Sequence, residues 1–283
     1  MKRIVLGDNL PILRALPDGL ARLVYIDPPF NTGVAQSRRS LVTPSDEAGD
    51  RTGFSGRRYR TEVVATTEWS DRFDDYLGFL APRLVEARRI LSPDGSLFFH
   101  IDYREAHYCK LLLDAIFGRE CFLNEIIWAY DYGARTKRKW PTKHDNILWY
   151  AKDPGHYTYN YEAIERIPYM APGLVGPEKA GRGKLPTDTW WHTIVATNGK
   201  EKTGYPTQKP LGILRRIIAA SSNPGDTVLD FFAGSGTTGA ACLELGRNFI
   251  LVDDNPQALA VMAKRFARIN DIEWINYGPD HIA

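Results

Sequence analysis

"TVLDFFAGSGTTGAACLELG", residues 227–246, decides the fold. A short β-branched and apolar run enters a glycine turn, and an apolar-faced run leaves it and stops on Gly246. That order predicts a strand, a tight turn and a helix. A P-loop is excluded, because no Lys follows the glycines. Gly234 and Gly236 would let a ligand approach bare backbone near a helix N-terminus. A lone G-x-G is usually a simple turn. Here Asp230 precedes it, and Asp253 closes the next strand, "FILVD". Doubly wound folds place a ribose-binding carboxylate about twenty residues beyond the turn, as Asp253 is placed here. The combination points to a nucleoside-bearing cofactor, a description that S-adenosylmethionine fits.

Working outward, the same alternation fills most of the chain. "RIVLGD" (3–8) and "ARLVYID" (21–27) predict strands around a helix, "NLPILRAL" (9–16), capped by Asp8 or Asn9. "FDDYLGFLAPRLVEARRIL" (73–91) has helical apolar spacing and a stop at "SPDG". Strand "GSLFFHID" (95–102) and helix "REAHYCKLLLDAIFG" (104–118) follow, then strands "FLNEIIWAY" (122–130) and "NILWYAK" (146–152). "LGILRRIIAASS" (211–222) predicts a helix, and so does "NPQALAVMAKRFARIN" (255–270), with Pro256 in its first turn. Residues 31–69 show little periodicity and read as a long loop, and 152–204 as an irregular insert. Strands alternating with helices imply one doubly wound α/β domain, its mostly parallel sheet covered on both faces.

Composition narrows the class. The 283 residues are 43% hydrophobic and 25% charged, ordinary for a globular protein. No apolar stretch approaches the ~18 residues of a membrane span, and the apolar run of "MKRIVLGDNL" is too short for a signal peptide. Cys109, Cys121 and Cys242 are scattered and odd in number, so neither a metal set nor a disulfide framework is expected. Reduced thiols in a cytoplasm fit that pattern. A net charge of +2 gives no strong global field. Locally, "RTKRKWPTK" (135–143) sets Arg135, Lys137, Arg138, Lys139 and Lys143 around a tryptophan. A second run carries Arg38, Arg39, Arg51, Arg57, Arg58, Arg60 and Arg72. Each alone reads as readily as a solvated face. Two basic loops flanking one candidate site favour a phosphate backbone.

"DPPF" (27–30) ends the second strand. Proline cannot donate to a ladder, and Pro28 confines Asp27 to an extended conformation, so the strand stops in a stiff turn. Most Asp-Pro pairs are only that. The sharper reading is a rigid acceptor beside an aromatic platform, built to hold something flat.

Together, "DPPF" (27–30), "YPTQKP" (205–210) and "LDFFAGSGTTGAAC" (229–242) resemble the amino-group DNA methyltransferases. The target motif precedes the cofactor motif, as in the β class. "GDNL" (7–10), "PRLVEARRILSPDGSLFFHID" (82–102) and "DTW" (188–190) resemble further family segments, so most of the chain is covered. The departures are Phe231 in place of a proline, Asp254 directly after Asp253, and Tyr205 where histidine is frequent.

The resemblance implies a Rossmann-like class I methyltransferase that uses S-adenosylmethionine and acts on double-stranded DNA. Residues 1–129 would carry the catalytic turn and the long loop 31–70. Residues 130–204 would form a target-recognition insert that includes a core strand near 146–151, and 205–283 the cofactor-binding part. Catalysis falls to Asp27, Pro28, Pro29 and Phe30. Asp27 and the Pro28 carbonyl would accept the N–H bonds of a base amine, and Phe30 would stack on a base turned out of the duplex. Cofactor contacts fall to Asp8, Asp27, Thr207, Gln208, Lys209, Asp230, Phe232, Gly234, Gly236, Thr237, Thr238, Asp253 and Asn255. Phosphate contacts fall to Arg135, Lys137, Arg138, Lys139 and Lys143.

Asp before Pro-Pro is commoner in adenine-N6 enzymes, and Ser in cytosine-N4 enzymes, so adenine is the favoured base. Enzymes that methylate ribosomal guanine or a protein glutamine begin the turn with Asn and place it after the glycines. Cytosine-C5 chemistry needs a thiolate, usually after a proline, and no Cys here follows Pro. An idle DNA-binding relative would not need Asp27, Phe30, Gly234 and Gly236 intact. A prokaryotic cytoplasm, close to the nucleoid, is the implied setting. A homodimer and a cognate restriction endonuclease are partners that the family leaves open.

Overall fold

Apolar runs bounded by turn residues become strands, and runs of helical period become helices. The structure, a computed structural model, describes residues 1–33, 36–42, 48, 51–52, 58–60, 62–69, 73–133, 136–196 and 199–278. β1 (Lys2–Leu6), α1 (Asn9–Ala15) and β2 (Ala21–Ile26) open the chain, with Asp8 capping α1. Short strands follow: β3 (Gln36–Val42), β4 (Arg51–Thr52), β5 (Arg58–Tyr59) and β6 (Glu62–Trp69). Next come α2 (Tyr76–Ile90), β7 (Leu91–Ile101), α3 (Ala106–Phe117), β8 (Phe122–Ala129) and β9 (His144–Ala151). A less regular stretch holds α4 (Pro177–Arg182) and β10 (Thr189–Trp191). The chain then forms α5 (Leu211–Ser221), β11 (Thr227–Asp230), α6 (Thr237–Leu245), β12 (Asn248–Asp253), α7 (Pro256–Arg265) and β13 (Glu273–Ile275).

Among the described residues, nine strands form one sheet in the order β10-β8-β9-β7-β2-β11-β12-β1-β13. All neighbours run parallel except β9, which is antiparallel to both β7 and β8. Register keeps one set of side chains on each face: Tyr25 lies beside Phe98, and Phe98 beside Trp149. These rings pack with Ile213, Ile217, Cys242 and Met262 under α5, α6 and α7. Val24, Ile26, Leu97, Phe99 and Tyr150 alternate to the opposite face. There the Tyr150 hydroxyl donates to Asp114 of α3 at 2.7 Å. Complete burial of one such Leu, Ile or Phe stabilises the fold by about 1.5–3 kcal/mol.

The strand order positions the site. From β2 the sheet grows one way through β7, and from β11 it grows the other way through β12. The order therefore reverses between β2 and β11, and ligands of open α/β sheets bind outside the carboxyl ends at such a point. Asp27 follows β2 and Asp230 ends β11.

By contacts the chain divides into two units, Met1–Pro28 with Leu77–Ala283, and Pro29–Tyr76. Within the second, the Tyr76 hydroxyl donates to Pro29 O at 2.6 Å and Phe73 N–H donates to Asn31 Oδ1 at 3.1 Å. Those two bonds tie its ends together. This unit departs from the expected loop: β3 pairs with β6, and β4 with β5, both antiparallel. The β-branched run in "EVVATTEW" carries strand propensity, but its partner "QSRRSLV" is too polar to show a strand period. The expected stop "SPDG" falls inside β7, where pairing jumps from Ala21↔Leu91 to Leu23↔Ser96 and the intervening residues bulge out. No described helix is long and apolar enough to cross a membrane.

Candidate active site

Three carboxylates gather at the carboxyl edge of the sheet. Lys209, just before α5, donates its ammonium to Asp27 Oδ2, an ion pair between residues 182 apart in sequence. Asp27 Oδ1 is buried and has no hydrogen-bond partner among the described residues. Asp230, buried at the end of β11, accepts from Phe232 N–H at 3.1 Å and from the Thr238 hydroxyl at 2.5 Å. Burial pushes its pKa up to about 7 against those two bonds, with Asp27 and Asp253 adding repulsion. Asp253 ends β12 and accepts from Gly234 N–H at 2.7 Å and Asn255 N–H at 2.9 Å. Burial likewise pushes Asp253 up to about 6. For Asp230 and Asp253 the bonds they accept do not offset burial, and no cation is paired with either among the described residues. A cofactor that brings a sulfonium, an ammonium and ribose hydroxyls fits that deficit.

The two glycines of the turn both have positive φ, 51° at Gly234 and 71° at Gly236. Their bareness has protein neighbours. A Cβ on Gly236 would lie 2.7 Å from Met262 Cγ of α7, and one on Gly234 3.2 Å from the Tyr205 ring. Gly236 therefore admits the α6–α7 contact. Arg265, which the sequence reading did not single out, pins the same turn by donating to Ser235 O at 2.7 Å and Thr237 Oγ1 at 3.1 Å.

The other candidates divide by what they touch. Thr237 Oγ1 donates to Lys209 O at 3.2 Å, which joins the turn to the "YPTQKP" segment. Gln208 accepts from Thr203 N–H and hydroxyl, both at 2.8 Å, and donates to Glu201 O at 2.7 Å. Its amide thus staples its own loop. Thr207 is exposed, and the Phe232 ring sits 6.2 Å from Phe79. Asn255 caps α7 by accepting from Gln257 N–H. Asp8 accepts from Leu10 N–H and from Arg83, whose Nε donates to Asn9 at 2.6 Å. Asn9 in turn donates to Phe231 O at 2.7 Å, so Asp8 belongs to the support under the turn. Pro28 is buried, Pro29 exposed and Phe30 half-buried. Pro29 and Phe30 lie in the Pro29–Tyr76 unit.

Of the basic candidates, Lys137, Arg138 and Lys139 are exposed between β8 and β9, and Arg135 lies outside the described residues. Since β8 runs parallel to the strands that carry the acids, this loop leaves the same edge of the sheet. Trp140 on it is 94% exposed. Lys143 donates to Tyr132 O, and Lys139 Nζ lies 5.6 Å from the centre of the Tyr103 ring. In the second run Arg58 and Arg60 are exposed, while Arg57 and Arg72 lie outside the described residues.

A buried polar chain beneath this edge escaped the sequence reading. Tyr25 Oη and His100 Nδ1 are 2.8 Å apart, His100 Nε2 and Asp145 Oδ2 3.2 Å, and the Tyr130 hydroxyl donates to Asp145 Oδ1 at 3.1 Å. An ionised carboxylate only accepts, so His100 Nε2 donates to Asp145 Oδ2. Burial, then Asp27 and Asp230, raise the Tyr25 pKa and keep its phenol protonated. Burial works to raise Asp145, but His100, Lys209 and Tyr130 outweigh it and hold the carboxyl low. The one signal in sequence was His100, a polar residue inside the apolar run "SLFFHI".

Known proteins carry the same plan. The chain is 29% identical over 264 residues to the type II methyltransferase M.HpaI of Haemophilus parainfluenzae, spanning 93% of this chain and 74% of that protein. It is 30% identical over 272 residues to the DNA adenine methyltransferase YhdJ of Escherichia coli, spanning 93% and 82%. Among solved structures, PvuII DNA methyltransferase (cytosine-N4-specific) superposes with a TM-score of 0.65 at 15% identity, covering 100% of this chain and 90% of that one. The M1.HpyAVI–SAM complex gives 0.59 at 22%, covering 94% and 99%. Residues 21–265, from the strand before Asp27 to the helix after Asp253, match the N6/N4 methyltransferase model described as DNA methylase, and the chain belongs to that family.

Proposed function

We propose that the protein moves a methyl group from S-adenosylmethionine to the N6 amine of an adenine turned out of duplex DNA. The observation that carries this reading is Asp27: one carboxylate oxygen is held by Lys209, and the other is buried without a donor among the described residues. An exocyclic amine is a poor nucleophile because its lone pair is delocalised into the ring. With N–H bonds to Asp27 Oδ1 and the Pro28 carbonyl, the nitrogen turns tetrahedral and its lone pair is freed. The same Asp27 oxygen takes the proton that the amine sheds. S-adenosylmethionine, when bound, supplies the electrophilic methyl group. Asp253 keeps lone pairs for the ribose hydroxyls beyond those used by Gly234 and Asn255, and the three acids complement a positively charged cofactor.

Adenine is supported by Asp before Pro-Pro and by the name of the 30% identical relative. Cytosine N4 is the second reading, supported by the specificity in the name of the PvuII neighbour. Residues 130–204 serve target recognition in this account, since their basic loop leaves the catalytic edge. The type II name of M.HpaI makes a cognate restriction endonuclease the partner to look for. The test is transfer of a tritiated methyl group to duplex DNA, followed by digestion to nucleosides. Label in N6-methyladenine is expected. Label in N4-methylcytosine transfers the assignment to the second reading, and DNA without label overturns both.

A further inference from the structure

Between α5 and the face of β7, β8 and β9 lies a cavity of about 290 Å³, lined with aromatic rings from Phe98, Trp149, Tyr159 and Trp190. It is set back from the catalytic edge, because Phe98 and Trp149 pair one same-face step behind His100. Three hydrogen-bond donors belong to its lining: Trp149 Nε1, Arg216 Nε and Ser221 Oγ. All three atoms are buried and have no hydrogen-bond partner among the described residues. Native proteins rarely leave buried donors unsatisfied, and three meeting in one cavity call for an occupant that accepts. The Arg216 guanidinium lies 4.8 Å from the centre of the Trp190 ring. Burial lowers its pKa, and Glu165 offsets this only in part. Asp188 and Asn124 also line the cavity and are exposed.

Water alone would meet the donors and leave the aromatic walls wet. A dry cavity of about 150 Å³ takes benzene, so this one has room for two fused rings. We propose that the cavity is a second ligand site, for a small planar aromatic anion held between the Trp149 and Trp190 walls with its charge toward Arg216.

The test uses the full chain and 2-naphthoate as probe, followed by calorimetry and by quenching of tryptophan fluorescence, with and without saturating S-adenosylmethionine. One-to-one binding that the cofactor leaves unchanged is expected. It should weaken about tenfold or more when the carboxylate is replaced, as in 2-naphthalenemethanol, and in Arg216→Gln. Ser221→Ala, a smaller change to the fold, should weaken it severalfold. The proposal is overturned if the wild-type protein shows no saturable binding, if the neutral analogue binds as well, or if saturating cofactor displaces the probe.

Discussion

Gly236, in the turn before α6, and Asp253, at the end of β12, are expected to act differently. Gly236→Ala meets Met262 at 2.7 Å and Phe266 at 3.0 Å on a backbone with φ of 71°. The left-handed backbone costs an L-residue roughly 1–2 kcal/mol, and overpacking adds about 1–3. Chemical denaturation should therefore show a loss of several kcal/mol, and a stability within error of wild type would remove Gly236 from the α6–α7 contact. Asp253→Ala should leave more of the fold intact and weaken S-adenosylmethionine about tenfold or more, a charged hydrogen bond being worth ~1.5–3 kcal/mol. Unchanged affinity in calorimetry, with the loss found instead in Asp254→Ala, would move the ribose contact to the exposed neighbour. Asp27 and Asp253 were legible in the sequence because each ends an apolar strand beside a turn. Lys209 on Asp27, and Tyr25 with His100 and Asp145, were not, because residues far apart in the chain meet only through the strand order.

At the scale of elements, the loop between β8 and β9 offers Lys137, Arg138 and Lys139 to solvent at the carboxyl edge of the parallel strands. Flexible, clustered charges of this kind position a phosphate backbone and carry little base information. Replacing all three by Ala should weaken specific and non-specific DNA binding alike and reduce the slope of log K against log salt by about 2–3. A changed sequence preference at an unchanged slope would make the loop a base reader. Most elements were readable from the sequence, since long amphipathic runs announce themselves. β10 and β13, three residues each, carry too few side chains for any period to show. The β3–β6 ladder was hidden by its polar strand, and no local pattern reveals that β9 runs against its neighbours.

For the molecule as a whole, folding buries a carboxylate at the centre of the sheet. The Asp230 pKa, pushed up to about 7 by burial, lies above its ordinary value of 3.8. Between those values the folded chain keeps a proton that the unfolded chain has released. Stability from this group therefore falls as pH rises through that window, by on the order of 4 kcal/mol in total. Urea titrations without cofactor should show Asp230→Asn gaining on wild type between pH 4.5 and 8, and parallel curves would refute the buried charge. The edge that holds it is where Asp27, Asp230 and Asp253 converge. Single-turnover methyl transfer to duplex DNA by Asp27→Ala, at saturating S-adenosylmethionine, tests that convergence most directly. The account predicts a rate about 10²–10³ below wild type in a chain that still folds and binds cofactor; a near-normal rate would contradict it.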